Sequence, residues 1–482
     1  MVSRFRVRFA APKQQDTFAA HVCPVPEPQP PPDPKQRTKS KTGCLECKRR
    51  KVKCDEAYPT CRRCQLRGTL CRSIPRLAKW QVEMPWLSWG PLNSPLYGVS
   101  NVNQRLLQLW MEKSCQIMVI DPNDNPLSFP VVEHLLKSPS LVHALQSVSA
   151  GYEAFFDPRN LTVCLEERQR ALVSLQDELN LATRPLPSTF LTIFMLGMTT
   201  SWVEADRSVF GKEHLCGARA IIDSMVEQHV VTNDSPTSHP VANFIVGSYI
   251  YWDMCCAPFA DPDEIKPLNT PEMYQYTQSM RHEYHPIGGF SIELWYMLGN
   301  LGRHCRKAVE GLERDLVLEA TFEEQLLQYT GPEDNHLLAV TNDCFRNHGL
   351  ILLYRICGIP ASSCRSVDGD DEDFSPADTD ETIRALALEI VSKVSEIPLS
   401  SPNMNILALP LLSAGSELNP DDHEERKEVL SRLLSLYSRN RCPPNLWACN
   451  LLKDVWGYRD EMNSKMSWLA LALLKGWKIS QA

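Results

Sequence analysis

Six cysteines between Cys44 and Cys71 have the type and spacing of a metal-ligand set. They follow the pattern C-x2-C-x6-C-x6-C-x2-C-x6-C, in which the last three cysteines repeat the first three at an offset of 17 residues. Two tetrahedral zinc ions need eight ligand positions, and six thiolates supply eight if two of them bridge both ions. Because the repeat makes Cys44 and Cys61 equivalent, these two are the expected bridging ligands. The complete candidate set is Cys44, Cys47, Cys54, Cys61, Cys64 and Cys71.

Two other uses of these cysteines compete with a pair of zinc ions. A disulfide framework requires an oxidising, secreted setting, and residues 1–20 lack the apolar core of roughly 7–15 residues that marks a secretory signal. A single-zinc ribbon could use the two C-x2-C pairs, but it would leave Cys54 and Cys71 unused at matching positions of the repeat. The spacing therefore favours two zinc ions per chain, and the single-zinc ribbon stays as the alternative.

Basic residues crowd around the cysteines. Residues 35–79 contain 15 Lys or Arg against 3 Asp or Glu, a net charge of +12. Since the whole chain carries −8, the remainder carries −20. A basic, metal-built module joined to an acidic body is typical of a DNA-binding module attached to a domain that does not bind DNA. The residues expected to face DNA are Lys48, Arg49, Arg50, Lys51, Lys53, Arg62 and Arg63.

Residues 38–71 resemble the DNA-binding domain of the fungal zinc binuclear cluster transcription factors. The similar features are Gly43 before the first cysteine, the basic run, the pair Cys54-Asp55, and Pro59 in the loop before the fourth cysteine. The resemblance implies that the first and fourth cysteines bridge the metals, in agreement with the repeat. It further implies that Cys47 and Cys54 complete one zinc site and that Cys64 and Cys71 complete the other. Pro59 resembles a loop proline that can take the cis form, and an ordinary turn proline is the alternative.

The same resemblance implies how the basic residues are used. In this family the short helix after the first cysteine reads CGG-like triplets in the major groove of double-stranded DNA. Arg50 and Lys51 match the base-reading positions, and Arg and Lys can both donate to guanine O6 and N7. Arg50 stands where many members have Lys, which predicts a small change in base preference. The expected phosphate contacts, which position the protein without reading sequence, are Lys48, Arg49, Lys53, Arg62 and Arg63.

The rest of the chain has the pattern of a helical domain. Apolar residues recur at helical spacing from about Arg105 onward, no G-x-G-x-x-G or P-loop motif occurs, and strand-like alternation is scarce. Asp421 or Asp422 is expected to cap the helix near residue 424. The uncharged run 185–203 opens with two prolines and is interpreted as containing a buried helix, so no membrane segment is expected. Helices are predicted from about 105 and near 139–148, 165–179, 189–203, 241–256, 292–310, 338–356, 381–396, 424–439, 446–458 and 465–475.

Motifs at both ends of this body resemble the fungal-specific transcription factor domain. The similarity spans most of residues 103–470 and implies an α-helical regulatory domain, without naming a ligand. The motifs are residues 109–110, 120–126 and 138–144 at its start, and 411–417, 425–426 and 455–456 at its end.

The chain is therefore predicted to have four parts and a mostly α fold. Residues 1–34, with seven prolines in 24–34, form an arm expected to be disordered. Residues 35–79 form the zinc module, two short helices wrapped around two zinc ions. Residues 80–102 are a linker whose prolines exclude a coiled coil and whose three tryptophans are expected to dock on the next domain. Residues 103–482 form a large all-α regulatory domain, called the helical body below. Any dimerisation is expected to involve this body.

Two further segments have less specific patterns. Residues 368–381 are acidic and are interpreted as a solvated loop, with an activation segment as the alternative. Twelve cysteines lie outside the zinc module without any C-x2-C pair. They are expected to be buried, reduced thiols rather than a second metal site or a catalytic nucleophile.

Taken together, the sequence predicts a sequence-specific DNA-binding transcription factor that regulates RNA polymerase II transcription in the nucleus. Its expected partners are double-stranded DNA and transcriptional co-regulators, and its cofactor is zinc. The alternative is a helical metabolite-sensing or interaction protein whose zinc module is only a tether. No spacing among Asp, Glu, His and Ser marks a catalytic set, so an enzyme is not expected.

Overall fold

The structure, a computed structural model, describes residues 43–73, 102–181, 187–203, 206–228, 230, 240–261, 263–331, 335–360, 376–462 and 464–480. The proline-rich arm, the basic block 35–41 and nearly all of the linker with its tryptophans lie outside these ranges. Within them, regular structure is helical, apart from one isolated bridge between His285 and Gly289. The prediction of a mostly α protein is confirmed.

The helices are numbered over the described residues. The zinc module contains α1 (Leu45–Arg49) and α2 (Arg62–Gln65). The helical body contains α3 (Gln104–Glu112), α4 (Val132–Leu135), α5 (Pro139–Ala154), α6 (Arg159–Leu181), α7 (Pro187–Met198), α8 (Thr200–Val203), α9 (Lys212–Glu227), α10 (Pro240–Cys256), α11 (Pro271–Ser279), α12 (Ile292–Val309), α13 (Leu316–Gln328), α14 (His336–Cys357), α15 (Pro376–Glu396), α16 (Ala408–Glu417), α17 (His423–Asn440), α18 (Pro443–Met462) and α19 (Trp468–Leu474). Short 3-10 helices lie at Ser114–Met118, Phe129–Val131, Met280–His282 and Pro402–Ile406.

Each helix predicted from periodicity is present, although the one near 189–203 is divided into α7 and α8. Five helices of the described body were missed, namely α4, α9, α11, α13 and α16. Every residue of α16 is buried, so no solvent-exposed polar face marks this helix in the sequence. In α13, by contrast, Leu316 and Val317 are exposed, which blurs the apolar stripe. The acidic segment was also misassigned in part, because residues 376–381 form the first turns of α15 rather than a loop.

Side chains that cap helices fix where several of them begin. Asn103 before α3 and Ser138 before α5 each accept a backbone N–H three residues on, a contact that stabilises a helix by about 1 kcal/mol. Asp422 occupies the cap position of α17, as expected, but its side chain does not cap the helix. Its carboxylate instead accepts hydrogen bonds from the Arg384 guanidinium and the Asn419 N–H, and so joins α15 to the start of α17.

One continuous apolar core runs through the helical body. Its centre includes Trp252 on α10, whose ring lies so close to Gly197 on α7 that an added Cβ would approach it to 2.1 Å. Only glycine fits there, because the two helices are in van der Waals contact. The core also contains a buried ion pair in which Arg303 of α12 donates to Asp253 of α10 over 2.9 Å. Both charges are removed from water, so each depends on the other.

The cysteines outside the zinc module are free thiols where the structure describes them, and most are buried. Only Cys216 and Cys357 among these ten are partly exposed. Burial raises the pKa of several, Cys115 to about 12 for example, so these thiols stay protonated at neutral pH. In the described ranges no helix combines the length and apolar character that crossing a bilayer requires.

Candidate metal centre and nucleic-acid interface

The six cysteines of the zinc module converge on one buried cluster. Their sulfurs form two groups of four, and the ligand atoms of each group lie within 4.8 Å of one another. The two groups share Cys44 and Cys61, the two residues that the repeat makes equivalent. Cys54 and Cys71, which a single-zinc ribbon would leave out, are members of the cluster. The groups are Cys44, Cys47, Cys54, Cys61 and Cys44, Cys61, Cys64, Cys71.

The distances between these sulfurs fit tetrahedral zinc. Cys44 Sγ lies 3.9 Å from Cys61 Sγ, and Cys47 Sγ lies 3.7 Å from Cys61 Sγ. Two thiolates on one zinc, each about 2.3 Å from the metal, are about 3.8 Å apart. A disulfide would bring the sulfurs to about 2.05 Å, so the spacing matches metal ligation and not oxidation.

The electrostatics of the cluster also require cations. Burial and the neighbouring thiols raise the pKa of Cys47 and Cys64 well above their usual range, and burial raises that of Cys71 to about 12. Without a metal, these three thiols would therefore resist ionisation. Zinc ions among them supply the positive charge that makes six thiolates compatible in this space.

Backbone groups hold the thiols in place. Cys44 is the N-cap residue of α1, and its sulfur accepts the Cys47 N–H over 3.4 Å. In the second half, the Cys71 sulfur accepts the Cys61 N–H over 3.4 Å. These donors help to fix the positions of the two sulfurs. The two ends of the module are joined because the Leu45 N–H donates to the carbonyl of the residue after Cys71 over 2.8 Å.

The loop between the halves contains the features that motivated the resemblance. The Asp55 carboxylate accepts the Arg62 N–H over 3.1 Å and so caps α2, which explains why an aspartate follows Cys54. The Tyr58–Pro59 peptide bond is cis. Lys51 follows α1 with a positive φ of 56°, and the chain turns away from the helix there.

The basic residues predicted to face DNA lie on the surface of the module. Arg50 is the C-cap residue of α1 and is half-buried, and Lys51 beside it is exposed. Arg49 forms an ion pair with Glu46 over 2.9 Å. Arg62 lies in the first turn of α2. The remaining members of the set, all exposed, are Lys48, Lys53 and Arg63.

The second half of the zinc module contacts the helical body. Cys71 donates its N–H to Ser438 Oγ of α17 over 3.2 Å, and Thr60 Oγ1 lies 3.4 Å from Ser435 Oγ one turn earlier. The guanidinium of Arg441, just after α17, lies 3.5 Å from the Ser73 carbonyl oxygen. These contacts are called the docking interface below. All three contacts come from the segment 60–73 of the module and not from α1.

Arg441 anchors the docking interface from within the body. Its guanidinium lies 3.7 Å from the Tyr152 ring centroid and 4.0 Å from that of Phe156, and it donates to the Tyr152 carbonyl over 3.1 Å. Burial lowers its pKa to about 10, so it remains charged at neutral pH. Its backbone has a φ of 62°, which is uncommon for a residue with a side chain. Sequence reasoning missed this residue, because no glycine or asparagine marks the turn at Arg441 itself.

A small cavity lies beneath the same segment. It has a volume of about 40 Å³, and its walls include Asn440, Cys442 and Asn405. Both polar side-chain atoms of Asn405 are buried without a hydrogen-bond partner in the described protein. Sites for ordinary small-molecule ligands measure about 300–1,000 Å³, so this cavity gives no support to the metabolite-sensing alternative.

Comparisons with known families agree with the two resemblances and confirm them. Residues 42–81 match the fungal Zn(2)-Cys(6) binuclear cluster domain, and residues 105–482 match the fungal specific transcription factor domain. The match to the first domain, together with the thiol cluster, confirms the prediction of two zinc ions.

Three curated proteins are similar to short parts of the chain. Transcriptional regulatory protein moc3 of Schizosaccharomyces pombe is 36% identical over 69 residues, which cover 14% of this chain and 13% of the relative. Transcription factor lfc1 of Flammulina velutipes is 67% identical over 27 residues, which cover 6% of this chain and 10% of the relative. Sterol uptake control protein 2 of Saccharomyces cerevisiae is 54% identical over 37 residues, which cover 8% of this chain and 4% of the relative. The chain thus matches only a small fraction of the length of each relative. No solved structure matches it.

Proposed function

The chain belongs to the fungal specific transcription factor domain family, and on this basis we propose that it is a transcription factor that binds specific sequences in double-stranded DNA. It regulates transcription by RNA polymerase II in the nucleus, with co-regulators as further partners. The proposal is supported by two matched domains in one chain, one a zinc cluster and one a regulatory domain. Two of the similar proteins are named as a transcriptional regulatory protein and a transcription factor, which also supports a role in transcription.

In the proposed zinc module, Cys44 and Cys61 each bridge two zinc ions. Cys47 and Cys54 complete one site, and the last two cysteines of the repeat, Cys64 and Cys71, complete the other. The zinc ions act structurally, because metal ligation supplies the folding free energy of so small a unit. The proposal is supported by the two groups of thiols that share Cys44 and Cys61.

Sequence recognition is assigned to the end of α1. Arg50 and Lys51 donate to guanine in a CGG-like triplet, because a guanidinium or ammonium matches the O6 and N7 acceptors in the major groove. The other basic residues of the set, Lys48, Arg49, Lys53, Arg62 and Arg63, contact phosphates. The observation that carries this assignment is the exposure of the basic residues around the end of α1, with Lys51 exposed and Arg50 half-buried. The contacts described between the module and the body come instead from its second half, through Thr60 and Cys71.

Selection of bound DNA from a random pool by the full-length protein tests the proposal. We expect enrichment of a guanine-containing triplet. Arg50→Ala or Lys51→Ala should cost roughly 1–3 kcal/mol of binding free energy and relax the preference at one position. Lys53→Ala should weaken binding to all sequences and lower the salt slope by about one unit. Arg67→Ala removes an exposed cation of the module outside the assigned set and serves as the control.

Two results would contradict the assignment. If the Arg50 and Lys51 variants lose specific and nonspecific binding equally, these residues do not read bases. If both variants keep full function in the cell, the zinc module is only a tether.

A further inference from the structure

Three metal-ligating side chains meet in the helical body, far from the zinc module in sequence. His304 of α12, Glu319 of α13 and Cys357 at the end of α14 place their ligand atoms within 4.8 Å of one another. His304 Nε2 lies 2.8 Å from Glu319 Oε1. His304 and Glu319 are buried, and Cys357 is partly exposed. The cluster therefore lies where three helices meet.

Neighbouring residues hold this cluster in place. Arg314, in the connection between α12 and α13, donates to Glu319 Oε1 over 2.9 Å and to Glu319 Oε2 over 2.6 Å. The same guanidinium donates to the Cys357 carbonyl oxygen over 2.6 Å. The carboxylate is therefore fixed relative to the end of α14. Gly358, with a φ of 83°, then turns the chain away from the helix, which leaves the Cys357 side chain at the helix end.

We propose that His304, Glu319 and Cys357 bind a third zinc ion. Imidazole nitrogen, carboxylate oxygen and thiolate sulfur are the three ligand types that zinc takes in proteins. The ion replaces the hydrogen bond between His304 and Glu319, so the proton they share and the Cys357 thiol proton leave to solvent. Zinc–nitrogen and zinc–oxygen bonds of about 2.0–2.1 Å place those two atoms about 3.3 Å apart, a small outward movement from the present distance.

An outer residue and a water molecule complete the proposed site. Arg314 stays on the Glu319 carboxylate and orients it, as outer partners of metal ligands commonly do. Tetrahedral zinc needs a fourth ligand, and a water molecule would supply it beside the partly exposed Cys357. The ion would join α12, α13 and α14, a structural role separate from DNA recognition.

The sequence carries no signal for such a site. Glu319 is 15 residues from His304, and Cys357 is a further 38 residues along the chain. The short spacings that identify zinc motifs in sequences are absent there. Only the packing of the three helices brings the ligands together.

Zinc analysis of the full-length protein, purified from zinc-containing medium without chelator, tests the proposal. We expect three zinc ions per chain in the natural sequence and two in Cys357→Ser. The matched control is Cys216→Ser, which changes the other partly exposed cysteine of the described body and should retain three. Circular dichroism confirms that each variant is folded. Two ions in the natural protein, or three in Cys357→Ser, would overturn the proposal.

A second measurement needs no variant and remains informative if Cys357→Ser does not fold. The metal-free full-length chain is treated with iodoacetamide with or without added zinc, and modified cysteines are located by peptide mass spectrometry. Because a metal-bound thiolate is shielded from alkylation, zinc should slow modification of Cys357 by about tenfold or more. Modification of Cys216 should be unchanged. Equal rates at Cys357 with and without zinc would refute a site there, and would leave the six-cysteine cluster unaffected.

Discussion

Replacing Ser438 by alanine is expected to loosen the zinc module from the helical body. The Ser438 hydroxyl accepts the Cys71 N–H over 3.2 Å, and both residues are buried. This is the shortest hydrogen bond of the docking interface, since the contacts of Thr60 and Arg441 measure 3.4 and 3.5 Å. The hydroxyl also donates to the Leu434 carbonyl within α17. Loss of that bond leaves the backbone hydrogen bonds of the helix intact.

The size of the expected effect follows from the Cys71 N–H, which loses its acceptor in the variant. Alanine removes the acceptor but not the buried Cys71 N–H, and a buried donor without a partner costs about 1–3 kcal/mol. At about 1.4 kcal/mol per factor of ten, the equilibrium between docked and undocked module shifts by roughly 5- to 150-fold. The zinc ions themselves should be retained, because no sulfur of the cluster is changed.

Amide hydrogen exchange in the full-length, zinc-loaded protein measures this shift directly. The Cys71 amide should exchange roughly 5 to 150 times faster in Ser438→Ala than in the natural protein, since exchange of this amide requires opening of the interface. Ser395→Ala is the matched control, because Ser395 also donates to a carbonyl one helical turn back but lies on α15. Unchanged exchange at Cys71, or an equal increase in the control, would refute the docking interface.

Three other outcomes follow from the structure. A fragment of residues 35–80 should bind two zinc ions and unfold on chelation, and one zinc by elemental analysis would restore the single-zinc ribbon. Asp253→Ala should lower the free energy of unfolding, measured by urea titration, by about 3–5 kcal/mol, because Arg303 is left buried without its partner. A loss of less than about 1 kcal/mol would show that the pair is not buried in solution. A fragment of residues 35–102 should sediment as a monomer at micromolar concentration, because prolines interrupt every coiled-coil window of the linker, and a stable dimer would contradict that interpretation.

The sequence predicted those parts of the structure whose determinants are local. The cysteine cluster could be predicted because all six thiols lie within one short segment and repeat at a fixed offset. Amphipathic helices such as α17 could be predicted because one face is apolar and the other polar, and Val429, Leu433 and Leu436 on the apolar face are buried. The helix α16 could not be predicted in this way, since its residues are all buried and it has no exposed polar face to set against an apolar one.

Contacts between distant segments were not accessible to this reasoning. Cys71 and Ser438 are 367 residues apart, and neither has a neighbour in sequence that indicates the other. Serine in a helix is common, and only the packed fold gives this one a partner in the zinc module. The cluster of His304, Glu319 and Cys357 was missed for the same reason, because its members come from three separate helices.

The docking interface also determines where the helical body lies around the double helix. With the proposed reading helix α1 in the major groove and the second half of the module held by α17, the body has a defined angular position about the DNA axis. That position follows the triplet, and one turn of B-DNA takes about 10–10.5 base pairs. A triplet displaced by about five base pairs, half a turn, would therefore place the body on the opposite face of the DNA. A promoter that requires the body on one face must then hold the binding site at a fixed rotational position.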